Sequence, residues 1–133
     1  MVRRSVTKTV SINRDVKTVF FFLADAANWP RWAIVNVKSV KPAGRDWWEV
    51  ETPDGRARLR IRADDGQGIL DHDFQAADAQ WTVPARVVAN GDGSEFVITF
   101  FQPPAFSDEH FDQQVALVDQ ELAQLKVLME GLG

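Results

Sequence analysis

Strict two-residue alternation in one segment limits the fold of this chain more than any other feature. In the segment 46–64, DWWEVETPDGRARLRIRAD, arginine occupies every second position from Arg56 to Arg62, and apolar residues stand between. Successive side chains of a β-strand point to opposite faces of a sheet. The segment therefore predicts a strand whose arginines face water beside Glu49 and Glu51 of the preceding strand, and whose other face packs on a second layer.

Seven segments have strand character, and glycine, proline, asparagine or aspartate residues separate them. The predicted strands lie near 4–12, 34–40, 45–52, 56–64, 68–75, 80–89 and 94–102. Lys8 interrupts the apolar face of the first one. A chain that runs strand, helix pair, six strands and long helix predicts the α+β class, with the helices on one side of an antiparallel sheet.

Helical spacing appears on both sides of the strands. Asn13 is placed to cap a short helix after the first strand, and Pro30 is expected to exclude helical geometry at Trp29. Ser107 is placed to cap a final helix over 107–132, which at about 1.5 Å per residue is long enough to cross the whole sheet. The apolar positions of this helix are Phe111, Val115, Val118, Leu122, Leu125, Met129 and Leu132.

The composition fits a single domain spanning 1–133. Without cysteine the chain has neither disulfides nor thiolate metal ligands, and two histidines are too few for the usual zinc sites. The net charge of −4 argues against a nucleic-acid partner, which is the alternative use of the arginine row. No segment has the ~18 uninterrupted apolar residues of a membrane span, and the amino terminus lacks an apolar signal sequence. We therefore expect a cytoplasmic protein without stable membrane insertion.

The same alternation directs one set of side chains toward the long helix. The set comprises Trp48, Val50, Leu59, Ile61, Leu70, His72, Phe74, Trp81, Val83, Ala85, Val87, Phe96, Ile98 and Phe100. The chain has five tryptophans and nine phenylalanines but no tyrosine, so its aromatic surface is largely dry. A curved sheet lined in this way encloses either an apolar ligand pocket or a solid core, and the alternation leaves both open.

Over nearly its whole length the chain resembles the START and Bet v 1-like superfamily, and more narrowly its small bacterial polyketide cyclase/dehydrase and lipid-transport proteins. The segments SINRDVKTVFFFLADAANWPRWA, GILDHDF, ARVVANGDGSEFVITF and SDEHFDQQVALVDQELAQLKVLME carry the resemblance, and the passage into NWPRW is its most specific part. The resemblance implies a helix-grip fold, in which a curved seven-stranded antiparallel sheet wraps around a long carboxyl-terminal helix and two short helices follow strand 1. It also implies a hydrophobic small molecule held between sheet and helix. The short connection KPAGRD departs from the plant-allergen branch, because it lacks a glycine-rich loop, and leaves a nucleotide site unsupported.

We predict the ligand site on the inward side chains, the facing side of the final helix and the NWPRW segment. Its residues are Trp32, Trp48, Leu59, Ile61, His72, Phe74, Trp81, Val83, Phe96, Ile98, Phe100, Phe111, Val115, Val118 and Leu122. His72 is the only candidate catalytic residue, as a general base, and its alternative role is a buried histidine satisfied by a neighbour. Asp71 and Asp73 flank it but point to the opposite face, so the three cannot form a local cluster. We expect no metal and no cofactor.

Several other residues have two interpretations each. Arg86 falls on the outer face, where a structural ion pair is favoured over a contact with an acidic ligand. His110 belongs to the first turn of the final helix, where a capping role is favoured over catalysis. Trp29 and Trp32 either gate a pocket or anchor the bent segment to the core.

Three functions remain compatible with these residues. The first is binding or carriage of a lipid, polyketide or aromatic compound, and the second is a cyclase or dehydratase that uses His72 as a base. The third is a protein-interaction module without a ligand, in which an outer patch of Val97, Thr99 and Phe101 joins two chains as a homodimer. The chain has no Ser-His-Asp pattern, Walker loop, dinucleotide fingerprint or HExxH motif, which lowers the expectation of an enzyme. Fold alone does not choose among the three.

Overall fold

A curved antiparallel sheet and a 23-residue carboxyl-terminal helix make up most of the fold in the computed structural model, which describes residues 1–77 and 79–131. The strands are β1 (Ser5–Ile12), β2 (Ser39–Pro42), β3 (Trp48–Thr52), β4 (Gly55–Asp64), β5 (Ile69–Gln75), β6 (Gln80–Val83), β7 (Ala85–Asn90) and β8 (Gly93–Phe101). The helices are α1 (Val16–Ala24), α2 (Trp29–Trp32) and α3 (Asp108–Glu130), with a 3-10 turn over Ala26–Asn28. The predicted α+β class and helix-grip arrangement are confirmed.

The sheet has the strand order β1-β8-β7-β5-β4-β3-β2, and β6 pairs with β5 beside this path. Every pair is antiparallel, and the register aligns the apolar residues of neighbouring strands. Leu59 of β4, for example, stands between Trp48 of β3 and Phe74 of β5. One concave face therefore collects the inward set that the alternation predicts.

Pro84 divides the predicted strand 80–89 into β6 and β7, so the sheet has eight strands instead of seven. Proline lacks the N–H that a central ladder requires. The next N–H, that of Ala85, is bound by the side chain of Asp71 at 3.0 Å, and the carbonyl of Pro84 accepts from Thr99 at 2.9 Å. On one side of the break the chain pairs with β5, and on the other side with β8.

Two predicted strands begin too early. The strand predicted from 34 starts only at Ser39, because residues 33–37 form a turn region that bonds to α3. The strand predicted from 45 starts at Trp48, because Gly44 and Asp46 have positive φ angles of 101° and 67° and turn the chain.

The helix caps correct two further predictions. The side chain of Asp15, not Asn13, caps α1 by accepting from the N–H of Thr18 at 3.1 Å. Trp29 has helical angles (φ −63°, ψ −38°), and Pro30 occupies the first turn of α2. A proline there needs no hydrogen-bond donor, so the expected exclusion of helical geometry at Trp29 was wrong.

The long helix α3 begins where predicted, with the Ser107 side chain accepting from the N–H of His110 at 3.1 Å. It packs along the edge strand β1 and against α2. Polar contacts along β1 join Arg4 to Asp112, Lys8 to Asp119 at 2.7 Å, Lys126 to the carbonyl of Ser11 at 2.7 Å, and Glu130 to the N–H of Asn13 at 2.9 Å. Leu132 of the predicted helix and Asp78 of a predicted turn lie outside the described residues.

The arginine row lies on the outer face of the sheet, as predicted, but a buried aspartate supplies half of its partners. Arg56 pairs with Glu51 at 3.0 Å, in agreement with the prediction. Arg60 and Arg62 instead bind Asp73, at 2.9 Å each, and the side chain of Asp73 is only 3% exposed. Burial would raise the pKa of Asp73, but hydrogen bonds from Arg62, Thr82 and Arg60 outweigh it and lower the pKa to about 2.

We expect alanine at position 68 to destabilise the fold more than alanine at position 91. Gly68 and Gly91 both have positive φ, 68° and 59°, but a β-carbon at Gly68 would meet the carbonyl oxygen of Val87 at 2.3 Å, whereas nothing lies within 4 Å at Gly91. Gly91→Ala should lower the free energy of unfolding by about 1 kcal/mol and Gly68→Ala by about 2 to 4 kcal/mol. Urea denaturation of the two variants measures the difference, and equal losses would contradict the close approach of this turn to β7.

Replacement of Asp73 by asparagine should lower the free energy of unfolding by about 2 kcal/mol at pH 7, because the carboxylate's pKa is about 2 when folded against an ordinary value of 3.8. The lowered pKa stabilises the fold above pH 4, and this contribution disappears as the pH falls from 4 to 2. The stability gap between wild type and Asp73→Asn should therefore close over that range. Glu51→Gln removes a solvent-exposed partner of Arg56 and should change the stability by less than about 0.5 kcal/mol.

Candidate functional site

The predicted ligand residues all belong to the concave face of the sheet, to α2 or to the sheet-facing side of α3, and they divide by exposure. Most are buried: Trp32, Leu59, His72, Val83, Phe96, Ile98, Phe111, Val115, Val118 and Leu122. The others are half-buried: Trp48, Ile61, Phe74, Trp81 and Phe100. The concave face thus has a closed part and an accessible part.

The closed part lies under the second half of α3. Val118, Leu122, Leu125 and Met129 join one hydrophobic cluster with residues of α1, α2 and the sheet. The accessible part comprises the half-buried residues, which belong to β3, β4, β5, β6 and β8. Large apolar side chains that keep contact with water on a concave surface are typical of ligand grooves.

A row of aromatic rings connects the two parts. Phe96 contacts Trp32, Trp32 contacts Trp29, and Trp29 contacts His72, with ring centroids 6.1, 5.0 and 4.8 Å apart. The row continues from His72 to Phe74 at 5.7 Å and ends on Trp81, which stacks on Phe74 at 5.5 Å. We call these six residues the ring ladder. Its buried end is Phe96 and Trp32, and its half-buried end is Phe74 and Trp81.

His72 lies in the middle of the ladder and is 2% exposed. Its Nδ1 is 3.0 Å from the carbonyl oxygen of Leu70, which can only accept, so Nδ1 carries the hydrogen of the neutral ring. The unprotonated Nε2 is then an acceptor. Burial lowers the pKa of His72 to about 4, so the ring is uncharged at neutral pH. The inward placement predicted from the alternation is confirmed, and a neighbour satisfies one nitrogen.

The two tryptophans of α2 differ in their hydrogen bonds. The indole Nε1 of Trp29 donates to the carbonyl of Leu23 at 2.8 Å, which anchors α2 to α1. The indole Nε1 of Trp32 is buried and has no partner among residues 1–77 and 79–131. An unpartnered buried N–H is costly, and such groups are rare in folded proteins.

Three polar residues considered in the sequence lie outside the ladder. Lys8 does point to the concave face, where it pairs with Asp119 of α3. Arg86 lies on the outer face and donates to the carbonyl of Gln67 at 3.1 Å. A hydrogen bond to an uncharged group thus takes the place of the ion pair that the sequence favoured. His110 packs its ring on Phe106 at 4.3 Å, and its backbone N–H completes the helix cap.

Glu121 is a residue of this region that the sequence interpretation missed. It is 3% exposed and accepts from the backbone N–H groups of Val35 and Asn36 at 3.1 and 2.9 Å, and from the side chain of Asn36 at 2.9 Å. Burial raises its pKa against the effect of these hydrogen bonds. A usable signal existed, because Glu121 stands three residues after Val118 and four before Leu125 and so shares their side of the helix.

Two surface pockets lie outside the ladder's buried part. One, of about 370 Å³, is on the outer face around Arg56, Arg58 and Gln75. The other, of about 690 Å³, lies between β6, the end of β8 and the first residues of the chain, and its wall includes Trp81 and Phe101. Within the described ranges, no group of three or more histidine or acidic side chains is placed to hold a metal ion. No helix in that part of the chain has both the length and the apolarity needed to cross a membrane.

The buried imidazole should make the stability depend on pH between 6.5 and 4. The unfolded chain binds a proton at His72 near pH 6.5, whereas the folded protein does so only near pH 4, so acidification favours unfolding by up to about 3 kcal/mol over this range. His72→Gln should remove that contribution, which is measured as the difference between wild type and variant in urea denaturation at pH 7 and pH 4.5. His110→Gln is the matched control for loss of a histidine, and a wild-type pH dependence retained by His72→Gln would contradict a neutral buried ring.

No protein-family model matches the chain, and no curated protein matches it. Similar solved structures exist in number. They include a START superfamily protein from Mycobacterium smegmatis, which is 15% identical with a TM-score of 0.76 over 97% of this chain and 99% of that one. Ara h 8.0201, a Bet v 1 allergen, is 10% identical with a TM-score of 0.68 over 95% of this chain and 97% of that one. The Aha1 dimer from Colwellia psychrerythraea is 10% identical with a TM-score of 0.75 over 98% of this chain and 99% of that one.

The resemblance found in the sequence is thus confirmed at the level of architecture, and the chain has the START and Bet v 1-like helix-grip fold.

Proposed function

We propose that the protein binds or carries a hydrophobic small molecule, such as a lipid, polyketide or aromatic compound, on the concave face of its sheet. The observation that carries this proposal is the half-buried state of Trp48, Ile61, Phe74, Trp81 and Phe100. These side chains belong to the same face as the buried core, yet they retain contact with water. A ligand that covered them would gain roughly 25 cal/mol for each Å² of apolar surface removed from water, before the costs of association.

The fold supports the same proposal, because START and Bet v 1-like proteins typically bind hydrophobic ligands. The charges support it as well. On the outer face, the arginines that follow Arg56 along β4 are held by Asp73 or stack on Trp47, so that face is occupied by internal contacts. The ring ladder, in contrast, offers flat apolar faces and a single neutral imidazole.

The pKa of His72 favours binding over catalysis. A general base works best when its pKa lies near the operating pH, and a pKa of about 4 makes this imidazole a weak base at neutral pH. For a cyclase or dehydratase the remaining contribution of His72 would be orientation of the substrate through Nε2. The other ladder residues are tryptophan and phenylalanine, so none of them can serve such an enzyme as a general acid or base.

Replacement of Trp81 by alanine should weaken binding of an apolar fluorescent probe, N-phenyl-1-naphthylamine, by about 10-fold, because the ladder loses the half-buried ring that stacks on Phe74. The measurement is a fluorescence titration, with the melting temperature recorded to confirm folding. Phe101→Ala is the matched control, since Phe101 is an aromatic residue that is 45% exposed but points to the outer face.

Native mass spectrometry of the purified protein provides an independent test with no chosen probe. A co-purifying apolar compound that is lost in Trp81→Ala and retained in Phe101→Ala would support the site. Equal effects of the two replacements on probe binding, or no binding of the probe by wild type, would contradict it. A homodimer through Val97, Thr99 and Phe101 makes a different prediction, because Phe101→Ala would then change the sedimentation coefficient without changing probe affinity.

A further inference from the structure

We infer that the bound molecule carries an uncharged oxygen, a hydroxyl or a carbonyl, that accepts a hydrogen bond from the indole Nε1 of Trp32. This inference rests on the proposed function and specifies the chemical class of the ligand. It starts from a single atom, because the Trp32 indole is buried and its donor lacks a partner in the part of the chain that the structure describes. Folded proteins satisfy such donors with protein groups, with ordered water or with a ligand.

The surroundings of Trp32 explain why the described part of the chain does not satisfy the donor. The Trp32 ring contacts Trp29 on one side, at 5.0 Å, and Phe96 on another, at 6.1 Å, and neither ring provides an oxygen acceptor. Trp29 shows the contrast within the same helix, since its own Nε1 reaches the carbonyl of Leu23. The indole of Trp29 therefore anchors α2, whereas the N–H of the Trp32 indole is left to bind another molecule.

The position of Trp32 in the ring ladder connects this donor to the accessible part of the concave face. From Trp32 the contacts run through Trp29 and His72 to Phe74 and Trp81, which are half-buried. Trp32, Trp29 and His72 are at most 3% exposed, so a molecule bound on the half-buried rings brings one polar end to the Trp32 donor only by displacing these packed side chains. Such an end satisfies the buried donor, and its loss leaves the donor unpaired, which is how a buried polar group produces selectivity.

The charged side chains around the ring ladder indicate that the ligand oxygen is uncharged. His72 is uncharged at neutral pH, and the other ladder residues are tryptophan and phenylalanine. Lys8, a cation that the sheet does place on this face, is already paired with Asp119. Arg60 and Arg62 lie on the opposite face with Asp73. A carboxylate in the ladder would therefore lose its hydration without gaining a counter-ion, whereas a hydroxyl or carbonyl needs only the indole donor.

Three probes of similar size and different polar groups test the inference: 2-naphthol, 2-methylnaphthalene and 2-naphthoate, titrated at pH 7 by calorimetry. We expect 2-naphthol to bind at least about 10-fold more tightly than 2-naphthoate. In Trp32→Phe the ratio of the dissociation constants of 2-naphthol and 2-methylnaphthalene should shift about 10-fold in favour of the hydrocarbon. Trp47→Phe is the matched control, because it replaces an indole outside the ladder, beside Arg58 and Arg60 on the outer face, and should leave this ratio within about 2-fold of the wild-type value.

Nuclear magnetic resonance of the wild-type protein gives a second readout that does not depend on how well Trp32→Phe folds. The five tryptophans give separate indole N–H signals, and the signal missing from Trp32→Phe, or otherwise assigned through the backbone, belongs to Trp32. That signal should move downfield on addition of 2-naphthol and stay within the general shift of the others on addition of 2-methylnaphthalene.

The outcomes separate the two proposals. Binding of 2-methylnaphthalene with an unchanged ratio in Trp32→Phe, or with no selective shift of the Trp32 signal, overturns the inference and leaves the hydrophobic site intact. Tighter binding of 2-naphthoate than of 2-naphthol overturns the neutral oxygen. Failure of all three probes to bind the wild-type protein overturns the proposed function and the inference together.

Discussion

The structure depends most on how a single buried carboxylate joins α3 to the rest of the chain. Glu121 accepts three hydrogen bonds from Val35 and Asn36, and so holds the turn region between α2 and β2 against the middle of the long helix. Burying a carboxylate is costly, and these three donors compensate part of that cost. Because the same turn region follows α2 directly, the contact also fixes Trp29 and Trp32 above the sheet. The ring ladder exists in its observed form because α2 is held from both sides.

The two faces of the sheet separate charge from apolar surface. Asp73 is buried on the outer face and takes hydrogen bonds from Arg60, Arg62 and Thr82, which neutralises much of the arginine row within the molecule. The inner face receives aromatic and aliphatic side chains from almost every strand, and its only titratable ladder residue is held neutral by burial. The separation gives an apolar ligand one chemically suitable face, and it leaves the strong electrostatic contacts to the stability of the sheet.

Much of the site followed from local pattern. Alternation with a period of two placed His72, Phe74 and Trp81 on the concave face correctly, because the pleat of a strand sets side-chain direction residue by residue. The local pattern failed where a contact with a distant part of the chain decided the structure. The strand predicted from 34 is a turn region because Glu121, far along the chain, binds it. The alternation predicted Asp73 only as an outward residue, and no spacing in the sequence indicates that Arg60 and Arg62 of the neighbouring strand bury it.

The sequence by itself determined the class of the fold, the identity of the apolar face and the long amphipathic helix, since each depends on neighbouring residues and on fixed backbone geometry. Tertiary structure alone decided which apolar side chains are sealed and which stay accessible. It also decided that the Trp29 indole donates to a carbonyl, while the Trp32 indole has no partner among the residues that the structure describes. Those outcomes depend on how α2, α3 and five or more strands meet in space, and hydrogen-bond partners that come from distant parts of a chain leave no periodic signal in it.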